Sequence, residues 1–273
     1  MKKLFNPLLA ITICWAHRSL FAQMLKRSLT TRYKGASLGV VWTIAYPLLM
    51  LSVYTFVFGI VFKPRWGAGS NVSEAVFFPL FLFAGLTIYN IFSECVGSSP
   101  TLILSNPSYV KKVVFPLELL PICHVLTTFC FGMVWIILML LGVALSCGTI
   151  PIYTIFLPLP LFSLLLLTMG ISFILSSVGV YLRDTQHLVG IVVQIFSFIT
   201  PIFYPLSSVP ESLRWILLWN PLTYIVEQVR DICLYGRMFD WTVYLCTTCV
   251  AFLVFQLGLV WLIKTKRGFA DVI

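Results

Sequence analysis

Apolar residues in this chain come in long blocks rather than in helical stripes. Between Glu118 and Arg183 run 64 residues without one Asp, Glu, Lys or Arg. Helices at a water surface need a polar face, so a soluble domain cannot hide such a stretch. One bilayer crossing takes about 20 residues, and the run suits two, folded back at the turn formers Gly148 and Pro151. The same criterion selects six apolar segments, at 36–62, 76–95, 115–147, 152–182, 187–206 and 241–263. Several exceed the hydrocarbon thickness at about 1.5 Å per residue, which predicts tilt or extension beyond it. Pro158 and Pro160 shorten the fourth from its outer end.

Two segments depart from an up-and-down pattern. Over residues 19–30, Leu20, Phe21, Met24, Leu25 and Leu29 fall on one half of a helical wheel. Ser19, Gln23, Lys26, Arg27 and Thr30 fall on the other. A basic polar face suits a helix lying in the membrane interface. The second segment, 207–240, reads as two short helices broken at Asn220-Pro221, with Trp215 and Trp219 placed for a membrane boundary. Neither piece is long enough to span, so a re-entrant hairpin or a surface-lying pair is expected. Irregular backbone at membrane depth survives only where protein or a water-filled cavity covers it.

Charge then orients the spans. The chain is 60% hydrophobic and 10% charged, where soluble domains carry roughly 25%. Its net charge of +9 forms short islands instead of the continuous stripe a nucleic acid would need. Residues 1–35 hold seven basic and no acidic residues; with Lys111, Lys112, Arg183, Lys264, Lys266 and Arg267, one set of span ends carries thirteen. The other set has five, Lys63, Arg65, Arg214, Arg230 and Arg237, balanced by Glu74, Glu211, Glu227, Asp231 and Asp240. The positive-inside rule places both termini in the cytoplasm. Lys2 and Lys3 before a short apolar patch imitate a signal peptide, but Asn6 and Pro7 interrupt it, and it reads as retained.

Candidate chemistry is sparse. Cys246 and Cys249 make a Cys-x-x-Cys inside an apolar run with no further ligand nearby, and His17, His124 and His187 are far apart in sequence; no metal site is expected. No Gly-x-x-x-x-Gly-Lys-Ser/Thr loop is present to bind ATP, and no potassium-filter motif occurs. Ion-driven carriers usually need a carboxylate or unwound helix at mid-membrane; Glu94 and Glu118 lie near cytoplasmic ends and Asp184 in a loop. The loops are too short and too poor in acids for a lipid-facing transferase. Any work done must draw its energy from a partner.

Four stretches, "TTRYKGASLGVVWTIAYPLLML" (30–51), "SNPSYVKKVVFPLELLP" (105–121), "YLRDTQHLV" (181–189) and "TPIFYPLSSVPESLRWILLWNPLTYIVEQVRD" (200–231), resemble the permease of polysaccharide ABC exporters of the ABC-2 type. That family moves O-antigen, capsular polysaccharide or teichoic acid. The resemblance covers nearly the whole chain in order. It implies an all-α integral membrane protein forming a single domain over 1–273. A cytoplasmic or interfacial segment (1–35) precedes five spans (36–206), an outer re-entrant segment (207–240), a last span (241–263) and a cytoplasmic tail (264–273). It further implies a homodimer in the bacterial inner membrane, two separate ABC ATPase subunits that hold ATP and magnesium, no cofactor in this chain, and a lipid-linked polysaccharide, O-antigen first among them, as cargo. An ABC-2 exporter of a drug or lipid is the alternative, and a non-transporting membrane scaffold a more distant one.

The resemblance also assigns roles. The loop Ser98 to Ser108, with Ser98, Ser99, Pro100 and Thr101 at its start and Asn106-Pro107 as a stop, is the expected ATPase coupling element; an ordinary turn is the rival. Arg183 and Asp184 suit a second contact or an internal ion pair. A lipid pyrophosphate needs forked cationic donors, and Arg18, Lys26, Arg27, Arg32 and Lys34 are the candidates, each of which also serves topology. Aromatic faces let sugars bind and slide. Trp42, Tyr46, Tyr54 and Phe58 share one side of the first span, with Tyr89, Phe92, Phe198 and Tyr204 as further candidates; lipid-facing or inter-helix packing is the plain alternative. Gly35 and Gly39 suit a helix seam or an entry bend. Pro201, Pro205, Pro210 and Pro221 punctuate an outer gate, with Trp215, Trp219 and Asn220 beside it.

Overall fold

A computed structural model of the chain describes residues 9–32, 39–62, 74–111 and 115–272. Lys34, Gly35, Lys63, Arg65 and Lys112 lie outside the described residues, as does the side chain of Phe58. Among the described residues every regular element is helical. In chain order these are α1 (Leu9–Ala16), α2 (Arg18–Thr31), α3 (Trp42–Tyr54), α4 (Glu74–Ser98), α5 (Pro107–Lys111), α6 (Leu119–Cys147), α7 (Pro158–Tyr181), α8 (Thr185–Ile199), α9 (Glu211–Leu218), α10 (Pro221–Cys233), α11 (Trp241–Thr265) and α12 (Phe269–Val272). Short 3₁₀ turns precede α3 and α7, and a π-helical stretch, Thr55–Phe62, extends α3.

Among the described residues, four apolar helical stretches are long enough to cross a membrane: Phe77–Thr101, Leu119–Cys147, Ile152–Tyr181 and Trp241–Val272. The two other expected segments form shorter apolar helices, at Trp42–Val57 and Thr185–Ile199. α8 stops well before residue 206 for a local reason. Pro201 forces the preceding residue out of the helical region, and Thr200 is extended at φ −74°, ψ 132°. At the sequence-predicted turn, Gly148 adopts φ 72° and its N–H bonds to the Ala144 carbonyl, closing α6 with a left-handed cap.

α4 is the centre of the bundle. Its side chains from Phe78 to Tyr89 are buried without interruption, the mark of an apolar helix surrounded by others. α3 and α6 pack on one part of it; α7, α8 and α10 cover the rest. α7 and α11 form the most extensive pair and cross through reciprocal glycines. A Cβ on Gly170 would sit 2.5 Å from the Phe255 nitrogen, and one on Gly258 would strike the Gly170 carbonyl. Small residues there let two backbones touch where larger ones would hold them apart.

The two ends of α4 meet different partners. Its C-terminal end packs on α6 and carries Glu94, which meets Arg32 just past α2; the N-terminal half meets α10, where Arg230 reaches the Phe81 carbonyl. The amphipathic reading of 19–30 corresponds to α2, whose Leu20, Phe21, Met24, Leu25 and Leu29 are half-buried while Ser19, Gln23, Lys26, Arg27 and Thr30 stay exposed. α2 packs against α6. A separate helix α1 precedes it, which the sequence pattern did not signal.

Candidate functional site

A cavity of about 460 Å³ opens among α2, α4, α5 and α6, walled by Arg27, Arg32, Glu94, Asn106, Tyr109, His124 and Thr128 among others. Behind it lies a smaller one of about 210 Å³, lined by Trp42, Tyr46, Asn90, Phe131 and Trp135 among others. Arg32, Glu94 and Thr128 border both. Arg32 sits just past the end of α2 and reaches the carboxylate of Glu94 on α4 as a fork, Nη1 to Oε1 at 2.6 Å and Nη2 to Oε2 at 2.7 Å. Its guanidinium lies 4.2 Å from the Phe131 ring centroid, a cation–π contact that holds its plane. Thr128 Oγ1 donates to Glu94 Oε1 at 3.5 Å. On the outer wall Arg27 Nη1 donates to the Tyr109 hydroxyl at 3.4 Å, and His124 Nε2 pairs with Ser98 Oγ at 2.7 Å.

The other expected cations stand apart. Arg18 is exposed at the start of α2, 5.9 Å from the Trp15 ring centroid, and Lys26 is exposed on the same helix. Only Arg27 and Arg32 of the described candidates line the cavity.

The aromatic candidates divide in the same way. Trp42 and Tyr46 line the inner cavity, and Tyr46 meets Trp135 edge-on with centroids 5.7 Å apart. Tyr54 is half-buried further along α3. Tyr89 and Phe92 are buried between α4 and α8: the Tyr89 hydroxyl donates to the Val193 carbonyl and Phe92 stacks on Phe196. Phe198 is 65% exposed at the end of α8, and the Tyr204 hydroxyl closes onto its carbonyl at 2.7 Å. α3 and α8 thus each present an uncovered aromatic and aliphatic face, including Tyr46, Leu49 and Val53 on α3 and Leu188, Ile195 and Phe198 on α8.

Among the coupling candidates, Ser99 and Pro100 are inside the bundle. Ser99 Oγ pairs with Ser172 Oγ on α7, and a Cβ on Gly179 would strike the Pro100 carbonyl. Ser98 and Thr101 are half-buried; Asn106, also half-buried, anchors the loop by donating from Nδ2 to the Leu102 carbonyl at 2.9 Å. Pro107 is exposed, as are Arg183 and Asp184, so the outward surface here is the start of α5 and the link before α8.

At the far end of α4, Asn220 caps α10 by accepting from the Leu222 N–H at 3.0 Å and donates to Thr200 Oγ1 at 2.8 Å. The two helix breaks are thereby tied together. Pro210 precedes α9, and Trp215 and Trp219 are exposed. Pro221 is the first residue of α10, where its missing N–H costs nothing. The organising residue is one the sequence reading treated only as a topological charge. Arg230 has no exposed surface, pairs with Glu227 at 2.7 Å, and donates to the carbonyls of Pro201 at 2.6 Å and Ile202 at 2.8 Å, just where α8 has unravelled. It also lies 3.5 Å from the Phe81 ring centroid, against α4. Nearby, Arg237 Nε donates to Asp231 Oδ1 at 2.8 Å.

Glu94, His124 and Phe131 were not among the expected site residues. The available signal for Glu94 was an acidic residue near the end of an apolar run; which cation it faced depended on how α2 folds back. Arg230 gave no comparable signal, since an arginine beside Glu227 and Asp231 reads as a solvated charge.

Residues 19–234 match the family described as ABC-2 type transporter. The chain is 31% identical to an O-antigen export system permease protein, RfbA, of Myxococcus xanthus, over 83% of this chain and 84% of the relative. It is 26% identical to an RfbA of Klebsiella pneumoniae over 93% of this chain and 95% of that one. The polysialic acid transport protein KpsM of Escherichia coli is 31% identical over 77% and 79%.

Proposed function

The chain belongs to the ABC-2 type transporter family, and from that premise we propose that it is the membrane permease of an ATP-driven exporter of lipid-linked polysaccharide, with O-antigen as the first cargo to test. The observation that carries the reading is the likeness, over 83% and 93% of the chain, to permeases named for O-antigen export, joined by one named for polysialic acid transport. A cavity that offers two arginines beside aromatic rings is the chemistry such a cargo needs at its point of entry.

In this reading the multi-pass chain makes six crossings in a bacterial inner membrane, with both termini in the cytoplasm. Residues 42–62, at about 1.5 Å per residue, come to roughly 30 Å and make a first crossing. α8 alone is short; the irregular stretch after it, together with α9 and α10, fills the outer leaflet as a re-entrant gate. Its backbone is covered by protein at Pro201 and Ile202, whose carbonyls Arg230 satisfies, as membrane depth requires. Two copies pair so that the open faces of α3 and α8 enclose the path, and Trp42, Tyr46 and Phe198 offer the sliding surface. ATP and magnesium belong to two partner ATPase subunits, which seat on the surface formed by α5 and the Arg183-Asp184 link. Arg27 and Arg32 contact the pyrophosphate of the lipid carrier.

Cells lacking the chain test this directly. Lipid-linked glycan accumulating on the cytoplasmic face, cleared by re-expression together with the ATPase, is the expected result. Accumulation of a drug or an unglycosylated lipid instead would move the assignment to another ABC-2 exporter. Unchanged export of every glycan would remove the proposal.

A further inference from the structure

We infer that the Arg32–Glu94 fork is an anion-operated latch: a pyrophosphate group in the outer cavity takes Arg32 away from Glu94 and thereby joins the two cavities. The inference rests on the export reading above, in that it names what the cargo must displace.

The argument starts from position. Both cavities end on the same three residues, Arg32, Glu94 and Thr128, so the ion pair is the partition between them. It joins the segment after α2 to the central helix α4 across 62 residues of sequence, so breaking it frees that segment from α4 while α2 keeps its packing on α6. The pair is only partly covered, with 25% of the Arg32 and 40% of the Glu94 side chain exposed, and an incoming anion can reach it.

Chemistry supplies the exchange. Both donor arms of Arg32 are spent on the two carboxylate oxygens. A phosphate presents the same two-oxygen edge with more charge, and the guanidinium fork fits either. The Phe131 face gives the guanidinium a surface on which to turn from one partner to the other. Glu94 is not abandoned when displaced, because Thr128 Oγ1 already points at it. That provision matters in an otherwise apolar span, where an unpartnered carboxylate is costly. Arg27, on the outer wall, adds positive charge where the anion enters. Uncharged lipids cannot compete for the fork, so the latch rejects them by leaving the partition shut, a discrimination that a merely basic mouth would lack.

The test uses the full permease with its ATPase in lipid nanodiscs, and titrates farnesyl pyrophosphate, inorganic pyrophosphate and farnesol. Glu94→Gln keeps the shape and removes the competing charge, so it binds farnesyl pyrophosphate about tenfold more tightly than wild type, within the usual range of coupling between linked sites. Arg32→Gln weakens binding to the same level with or without Glu94→Gln, and farnesol binds all variants equally. A matching gain for inorganic pyrophosphate places the whole effect in the phosphates; a gain confined to the prenylated probe shows that the lipid tail is also needed, and either outcome supports the latch. If Glu94→Gln lowers the melting temperature, Glu94→Asp replaces it, since one methylene less cannot keep both bonds to Arg32. Wild-type affinity in the folded Glu94 variant, with binding weakened by Arg32→Gln, overturns the latch and leaves the headgroup contact standing. Wild-type affinity in the Arg32 variant removes that contact as well.

Discussion

Replacing Arg230 with Met tests whether one guanidinium holds the broken helices at the far end of the bundle. The substitution keeps a long apolar stem but deletes every donor. Three carbonyls lose a donor, those of Pro201 and Ile202 and, within helix α4, that of Phe81; the first two, outside any helix, cost about 1–3 kcal/mol each. The contact over the Phe81 ring, desolvated at 3.5 Å, adds about 1–2 kcal/mol. Glu227 contributes little further cost, because 28% of its side chain reaches solvent. Against these losses stands the removal of a desolvated charge, which returns several kcal/mol. The balance comes to about 3 kcal/mol, at the lower edge of what breaking a buried ion pair costs. In a chain of this size that lowers the melting temperature by roughly 6–12 °C. A local readout accompanies it: Cys233 on α10 is fully buried, and in a variant retaining only that cysteine it becomes reactive toward a thiol reagent once α10 lifts from α4. Arg230→Lys keeps the charge with fewer donors and falls between the two. Melting within 2 °C of wild type, with Cys233 still protected in Arg230→Met, would refute the reasoning and move the anchoring of α10 to its apolar face.

Gly170→Leu forces a side chain into the Phe255 and Val254 backbone of α11, which has no flexible end to yield, so monodisperse protein is lost in size-exclusion chromatography; Gly190→Leu on α8, with nothing within 4 Å of its Cβ, elutes as wild type. Lys266→Met strands the Glu118 carboxylate, 2% exposed and bonded to Lys266 at 2.5 Å. Its thermal stability falls by about 3–5 kcal/mol, and Glu118→Gln in the same chain recovers most of that loss, as a double-mutant cycle will register. Trp42→Ala and Tyr46→Ala slow export in cells while leaving membrane assembly intact; wild-type export from both would discard the aromatic lining at this end of α3.

The sequence by itself determined the solvent, the secondary-structure class and the punctuation of the chain. A 64-residue uncharged run has no stable home in water, and the amphipathic period of 19–30, the Gly148 turn and the Asn220-Pro221 break all act over a few residues, where propensity and sterics decide. These are local matters, and the helices at α2, α6, α7, α10 and α11 stand where the pattern put them. The end of α8 was missed although its cause, Thr200-Pro201, was local too: apolar character continues past residue 199 after helical geometry has stopped. Tertiary structure alone decided which charge meets which. Arg32 and Glu94 are 62 residues apart, and Arg230 reaches the Phe81 carbonyl across 149; no period in the sequence encodes such pairings. They follow from the way α2 and α10 fold back onto opposite ends of one buried helix. An arginine is a topological marker in the linear chain and a structural clasp in the folded one, because only folding removes the water that would otherwise satisfy it.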